Sequence, residues 1–192
     1  GSTWTDGYVR PFVCQWQTGR LEVIWPADQP YSKPYKLPIH STRYPWSMFR
    51  HDRRHTGYTE SPAPNTNQTI WNYTTGDWVD SSPAVVGGRV YVGSWDRNLY
   101  CLDALTGALI WNYTADWVRS SPAVVGGRVY VGSFDQKVYC LDALTGAHIW
   151  NYTTSGNVFS SPAVVGGRVY VGSDDRNLYC LDALTGALIW NY

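Results

Sequence analysis

The 192-residue sequence predicts an all-β fold of β-propeller blades, four-stranded antiparallel meanders repeating every ~40 residues. Three observations carry the prediction. The stretch Ser-Ser-Pro-Ala-Val-Val-Gly-Gly-Arg-Val-Tyr-Val-Gly-Ser opens at Ser81, Ser120 and Ser160, and each copy runs on through Tyr-Cys-Leu-Asp-Ala-Leu-Thr-Gly-Ala to Ile-Trp-Asn-Tyr. Cys101, Cys140 and Cys180, like Trp111, Trp150 and Trp190, therefore recur at spacings of 39 and 40 residues. Gly or Pro interrupts every copy before helical periodicity is sustained, and eleven Trp and fifteen Tyr against four Phe and one Met favour strands. A solenoid of β-turns is the alternative at this period, but it normally has shorter repeats and parallel stacking.

Within the first copy, Ser82 to Val86 is a short apolar run and Gly87-Gly88 suits a tight hairpin turn. Arg89 to Gly93 alternates as a half-buried strand, and Ser94 to Arg97 is a polar turn. Asn98 to Leu102 is a third strand, Asp103 to Gly107 a Gly-ended turn and Ala108 to Tyr113 a fourth strand. The chain divides into an N-terminal extension (1–44), a lead-in segment (45–68) and the repeats (69–192). The repeats comprise an extra outer strand, Thr69 to Thr74, and three full blades at about 75–113, 114–152 and 153–192. The extension contains a candidate strand pair, Phe12 to Trp16 and Leu21 to Trp25 around Thr18-Gly19, which loosely echoes a third and fourth strand and then becomes Pro-rich. It reads as a partial blade or an intersubunit arm.

Fifteen acidic and fifteen basic residues leave zero formal charge, so no overall field draws in nucleic acid or an anionic membrane surface. No apolar run reaches the length of a membrane span. Sequons stand at Asn67, Asn72, Asn112 and Asn151, which points to an N-glycosylated chain at an extracellular or cell-surface location. On the outermost strand, a glycan would shield an exposed edge from pairing with other sheets. Cys101, Cys140 and Cys180 lie a blade apart, too far to bridge, and read as small buried thiols; Cys14 pairs only if the N-terminal segment folds back.

The run Cys-Leu-Asp-Ala-Leu-Thr-Gly-Ala-x-Ile-Trp, at Cys101 to Trp111, Cys140 to Trp150 and Cys180 to Trp190, resembles the tryptophan-docking motif of pyrroloquinoline-quinone (PQQ) type propeller repeats. The Ser-Ser-Pro-Ala-Val-Val stretch and the lead-in Trp46 to Gly57 are similar to that family as well, so the resemblance covers Pro45 to Tyr192. It implies that Asp103, Thr106, Gly107 and Trp111 lock one blade to its neighbour, as do Asp142, Thr145, Gly146 and Trp150, and Asp182, Thr185, Gly186 and Trp190. Quinoprotein dehydrogenases of this type hold cofactor and calcium on the central axis, with an Asp base, carboxylate ligands and often an adjacent cysteine pair. Here there is no Cys-Cys, the repeated Asp belongs to the docking motif, and no copy departs sharply from the others. No cofactor and no catalysis are therefore expected. His51 and His55 lie at i,i+4 with Asp52 beside them, but lack a third ligand at a recognisable spacing for a metal. His148 stands where the other copies have Leu109 and Leu188, a tolerated strand substitution. No Ser-His-Asp pattern, Gly-rich phosphate loop or zinc-type cysteine pair is present.

The copies differ in two turns: Thr75 to Asp80 with its counterparts 115–119 and 154–159, and Trp95 to Asn98 with 134–137 and 174–177. An up-and-down meander puts both on one end, leaving the Gly-Gly and Thr-Gly turns on a constant end. The variable end gathers Trp78, Trp95, Trp117, Phe134 and Phe159 among Asp77, Asp80, Asp96, Asp116, Arg119 and Asp135. Aromatic platforms with polar rims suit a glycan or peptide ligand, and packing of these rings between blades is the competing explanation.

Propellers typically close with about four to eight blades. Three copies suggest a fragment of a longer propeller, an open array closed by another copy, or a polymer docked through its N-terminal segment. The expected function is a non-catalytic extracellular scaffold, binding or self-assembling module whose partners are other copies or further blades. A fragment of a PQQ-dependent dehydrogenase and a purely structural filament subunit are the alternatives.

Overall fold

The computed structural model describes residues 13–17, 20–25, 46–52 and 68–192, the first two runs by backbone alone. Among them there is no helix. A three-stranded sheet contains β1 (Val13–Gln17), β2 (Arg20–Trp25) and β3 (Gln68–Tyr73), in that order. Three four-stranded antiparallel meanders follow. The first is β4 (Ala84–Val86), β5 (Arg89–Gly93), β6 (Asn98–Asp103) and β7 (Leu109–Thr114). The second is β8 (Ala123–Val125), β9 (Arg128–Gly132), β10 (Lys137–Asp142) and β11 (His148–Thr153). The third is β12 (Ala163–Val165), β13 (Arg168–Gly172), β14 (Leu178–Asp182) and β15 (Leu188–Asn191).

Local sequence explains this regularity. Val86 pairs with Arg89 across Gly87 and Gly88, whose φ of 62° and 74° give the doubly left-handed turn that matches strand twist. Each third-to-fourth strand pairing shifts register at the same point, between Cys101 and Leu102, Cys140 and Leu141, and Cys180 and Leu181. A bulge there turns the outer strand away from its neighbour. The first strands β4, β8 and β12 contact one another in succession, so they form the inner ring of the array. Serines stitch that ring, with Ser82 N donating to Ser121 Oγ at 2.8 Å and Ser121 N to Ser161 Oγ at 3.0 Å.

The core lies between sheets. One cluster joins Trp71 of β3 to Val90, Val92 and Leu102 of the first meander, and a second joins Tyr91, Cys101 and Trp111 to Val129, Val131 and Leu141 of the second. A third joins Tyr130, Cys140 and Trp150 to Val169, Val171 and Leu181. This arrangement corrects the half-buried reading of the Arg-Val-Tyr-Val-Gly strand. In β5 and β9 the residues after Arg are buried on both faces, because a sheet packs on each side. Only in β13, with the same sequence, does burial alternate.

The N-terminal strand pair sits one place further inward than its echo of a third and fourth strand suggested. The fourth position belongs to β3, which pairs antiparallel with β2, so β2 and β1 take the third and second places. Strand β3 thus forms a three-stranded sheet with two strands of the extension. The lead-in lies against the inner ring: Trp46 pairs with Val85, Ser47 O accepts from Val124 N at 2.6 Å, and Met48 is buried with Ala123 and Val164. His51 N returns to Met48 O at 2.9 Å, closing a turn with positive φ at Arg50 and His51.

Candidate functional site

At the constant end the docking residues divide their work. Asp103 Oδ1 accepts from Leu105 N, Thr106 N and Thr106 Oγ1 within 3.0 Å, holding its own turn, and Asp142 and Asp182 do the same with Thr145 and Thr185. These bonds from Thr145 and Thr185 hold the Asp142 and Asp182 carboxyls below their usual pKa. The tryptophans cross between blades. Trp71 Nε1 donates to Ala104 O at 3.1 Å, Trp111 Nε1 to Ala143 O and Trp150 Nε1 to Ala183 O at 3.2 Å. Each indole lies on the glycine of the turn it meets. A Cβ on Gly107 would come within 2.6 Å of Trp71, one on Gly146 within 2.7 Å of Trp111 and one on Gly186 within 2.6 Å of Trp150. Trp190 meets no turn among the described residues and is 39% exposed, against 7–9% for Trp71, Trp111 and Trp150.

Ala143 O and Ala183 O collect more donors than the motif indicates. Tyr91 Oη and Arg89 Nη1 reach Ala143 O at 3.0 and 3.3 Å, and Tyr130 Oη and Arg128 Nη1 reach Ala183 O, each at 3.1 Å. Burial, with Cys101 and Cys140 close by, raises the pKa of Tyr91 and Tyr130, the latter to about 12. The thiols of Cys101 and Cys140 are buried and pushed up to about 11, mainly by desolvation, so they are protonated and unreactive at neutral pH.

At the other end the two variable turns meet within each blade: Trp95 N donates to Trp78 O, Phe134 N to Trp117 O and Asp174 N to Asn157 O. This contact brings all five aromatic residues into one row. Ring centroids stand 6.0 Å apart for Trp78–Trp95, 5.2 Å for Trp95–Trp117, 4.7 Å for Trp117–Phe134 and 5.6 Å for Phe134–Phe159, in tilted or edge-on packing. Trp78 is 67% exposed, whereas the other four are half-buried against one another. Arg119 sits among them, its guanidinium carbon 4.9 Å from the Trp95 ring and 5.0 Å from that of Phe159. Asp80 Oδ2 completes the group by accepting from Arg119 Nε at 3.3 Å and Trp95 Nε1 at 3.0 Å. Four of the rings thus pack against one another along the blades, and Trp78 at the end of the row is exposed.

Two acids counted with this end serve the blade instead. Tyr100 Oη donates to Asp96 Oδ2 at 2.6 Å, Tyr139 Oη to Asp135 Oδ2, and Tyr179 Oη to Asp175 Oδ2 at 2.6 Å. Burial alone would lift the Asp175 carboxyl, but hydrogen bonds from Tyr179, Asn177 and Ser155 outweigh it and hold the group well below the carboxylate range. Burial and the same bond push Tyr179 up to about 12. The signal was present in the sequence, since this Asp and the Tyr four residues later are identical in every copy.

Of the sequons, Asn72, Asn112 and Asn151 are exposed on the outermost strands β3, β7 and β11; Asn67 lies outside the described residues, as do His55 and the side chain of Cys14. Asn112 Nδ2 bonds Asn98 Oδ1 at 3.1 Å, and Asn151 Nδ2 lies 2.9 Å from His148 Nε2. His51 Nδ1 is 3.7 Å from Asp52 Oδ2. Among the described residues, no group of three or more His, Cys, Asp or Glu is placed to hold a metal ion. Trp46, Ser47 and Met48 lie against the inner strands, and the repeated acids are bonded within their own turns. No described helix is long and apolar enough to cross a membrane.

Residues 114–192 match the family described as outer membrane protein assembly factor BamB. No relative among functionally curated proteins matches the chain. Among solved structures, BamB from Moraxella catarrhalis is similar at 27% identity over 65% of this chain and 40% of that one, with a TM-score of 0.56. The quinohemoprotein alcohol dehydrogenase ADHIIG from Pseudomonas putida HK5 is similar at 26% identity over 86% of this chain and 29% of its own, with a TM-score of 0.70. The quinohemoprotein alcohol dehydrogenase from Comamonas testosteroni is similar at 26% identity over 80% and 28%, with a TM-score of 0.65. The chain thus spans 40% or less of the length of these structures. In its repeats, its antiparallel meanders and its similarity to both kinds of structure, the chain is a PQQ-like β-propeller repeat protein.

Proposed function

We propose that this chain is a non-catalytic extracellular or cell-surface module that binds a peptide or glycan through its variable end and uses its constant end for blade docking. One observation carries the reading. The five aromatic residues that vary between otherwise repeated copies come from two separate turns of three blades, yet they form one row with a solvent-facing ring at Trp78. Drift at lax turns would not be expected to assemble such a surface, and exposed aromatic faces beside carboxylates are suited to recognition.

The similarity to an assembly factor and to dehydrogenases is compatible with several activities, because a fold of this kind hosts unrelated functions. The repeated acids, each bonded within its own docking turn, support the binding role over a dehydrogenase fragment. The exposed Trp190 favours docking of a further blade or another copy on the third meander. Glycans on Asn72, Asn112 and Asn151 would stand on the outer rim, away from both the row and the inner ring.

The test is a peptide and oligosaccharide array probed with the wild-type chain and with Trp78→Ala. A ligand retained by the wild type and lost by the variant is the expected result. Binding that ignores the substitution, or no binding by either protein, would sink the proposal.

A further inference from the structure

The row already holds one cation, and it is the chain's own. The last residue of the linker before each Ser-Ser-Pro is Asp80, Arg119 or Phe159 in the three blades. Folding places these residues side by side: Asp80 is in ion-pair contact with Arg119, whose guanidinium lies over the rings of Trp95 and Phe159. An aromatic face attracts a cation through its quadrupole, and an adjacent carboxylate adds direct charge attraction. This corner therefore has the chemistry of an arginine seat, occupied from within.

The same chemistry is displayed one ring further along, with no cation of the described residues on it. Trp78 packs edge-on against Trp95 and is 67% exposed. Its backbone N–H donates to Asp77 Oδ1 at 2.8 Å, which holds that carboxylate on the Trp78 backbone, and Asp80 Oδ2 accepts from Nε1 of the neighbouring Trp95 at 3.0 Å. Charge points the same way. The turn that bears Trp78, residues 75–80, contains Asp77 and Asp80 and no Lys or Arg, although the whole chain is neutral. A neutral sugar would gain from the ring but nothing from the surplus of negative charge, whereas a cation gains from both.

We infer that the ligand of the variable end is a cationic peptide segment, whose arginine or lysine head stacks on Trp78 beside Asp77 as Arg119 stacks on Trp95 beside Asp80. This inference rests on the binding role proposed above and names the class of ligand. Arg119 then limits the capacity of the row by filling the second seat from inside.

The experiment titrates the intact chain with a capped Arg-Gly-Arg peptide, its citrulline twin, which keeps the shape and loses the charge, and the neutral oligosaccharides cellohexaose and chitohexaose. The arginine peptide should bind, weaken as salt is raised, and exceed the citrulline twin by about tenfold or more. Trp78→Ala should reduce that affinity about tenfold with an unchanged denaturation midpoint, and Trp78→Phe should restore part of it. Arg119→Ala should raise the number of arginine peptides bound. Equal binding of the citrulline twin, indifference to Trp78→Ala or failure of the arginine peptide to bind would each overturn the cation assignment. An oligosaccharide that binds in its place and is lost in Trp78→Ala would overturn it while leaving the binding role intact, and a site elsewhere on the chain would remove both.

Discussion

Replacing Gly146 by Ala tests the docking of one blade on the next, with Gly126→Ala as its internal control. Both glycines have left-handed backbones, at φ of 73° and 60°. A Cβ at either position costs about 1–2 kcal/mol for that conformation. At Gly126 nothing lies within 4 Å of the new methyl, so the backbone term is the whole effect. At Gly146 the methyl lands 2.7 Å from Cδ2 and 2.8 Å from Cε3 of Trp111, closer than carbon atoms can approach. The indole is backed by the core between the first two meanders and has little room to retreat. It must shift outward, giving up its bond to Ala143 O and part of its buried area. A buried Trp removes roughly 200 Å² from water. Losing half of that at ~25 cal/mol per Å² is about 2.5 kcal/mol. Gly146→Ala should therefore destabilise the chain by about 3–5 kcal/mol and Gly126→Ala by about 1–2 kcal/mol, read as shifts in the urea midpoint at constant slope. Equal costs for the two variants would refute the argument that the blade junction depends on the ring seated over this glycine.

Three further outcomes are expected. Tyr139→Phe should cost about 1–3 kcal/mol and more than Tyr179→Phe, because Asp175 retains bonds from Asn177 and Ser155 whereas the buried Asp135 Oδ1 has no hydrogen-bond partner among the described residues; paired denaturation curves give the comparison. Met48→Ala should lose about 2–5 kcal/mol if the lead-in is part of the core, while Arg50→Ala, at an exposed position of the same turn, should leave the midpoint nearly unchanged. Stability should fall at high pH. The folded pKa of Cys101 and Cys140 is raised from 9.0 to about 11, so the protonated thiols contribute fully below pH 9 and the contribution is lost as pH rises through 11. Asp175 acts in the opposite sense, its contribution being present above the ordinary carboxylate pKa and lost as pH falls below it. Midpoints measured across the pH range should be flat near neutrality, and an increase in stability above pH 10 would contradict the burial of the thiols.

Much of this architecture could be read from the residues because the same local chemistry is repeated. Gly87-Gly88 permits one kind of turn, and Asp103 with Thr106 closes another, so strand number and order follow from short-range rules. What lay beyond sequence depended on distant partners. Nothing in Asp-Ala-Leu-Thr-Gly shows that the Ala carbonyl receives the indole of the previous blade together with a Tyr and an Arg. The strand of Arg89 to Gly93 looked half-buried because alternation reports one packed face, and a second packed face is invisible to a single strand. The aromatic residues of the variable end could be collected by comparing copies, yet their order along the row, and the position of Arg119 between Trp95 and Phe159, follow from the angle between blades. Asp96 and Asp135 were grouped with that end because they lie in its turns. The invariant Tyr four residues later signals a partnership, and the fold shows that its hydroxyl binds the Asp carboxylate.

The tryptophan contacts also have a direction. Every full blade receives an indole from the sheet before it, and the first two hand one to the sheet after. A forty-residue unit therefore contains half of two different junctions, and inserting or deleting one whole unit between blades recreates the same tryptophan contact at the constant end. Nearly identical neighbouring copies are also the substrate on which unequal recombination acts most readily. A change in the number of blades by whole units thus leaves the tryptophan contact at each seam intact.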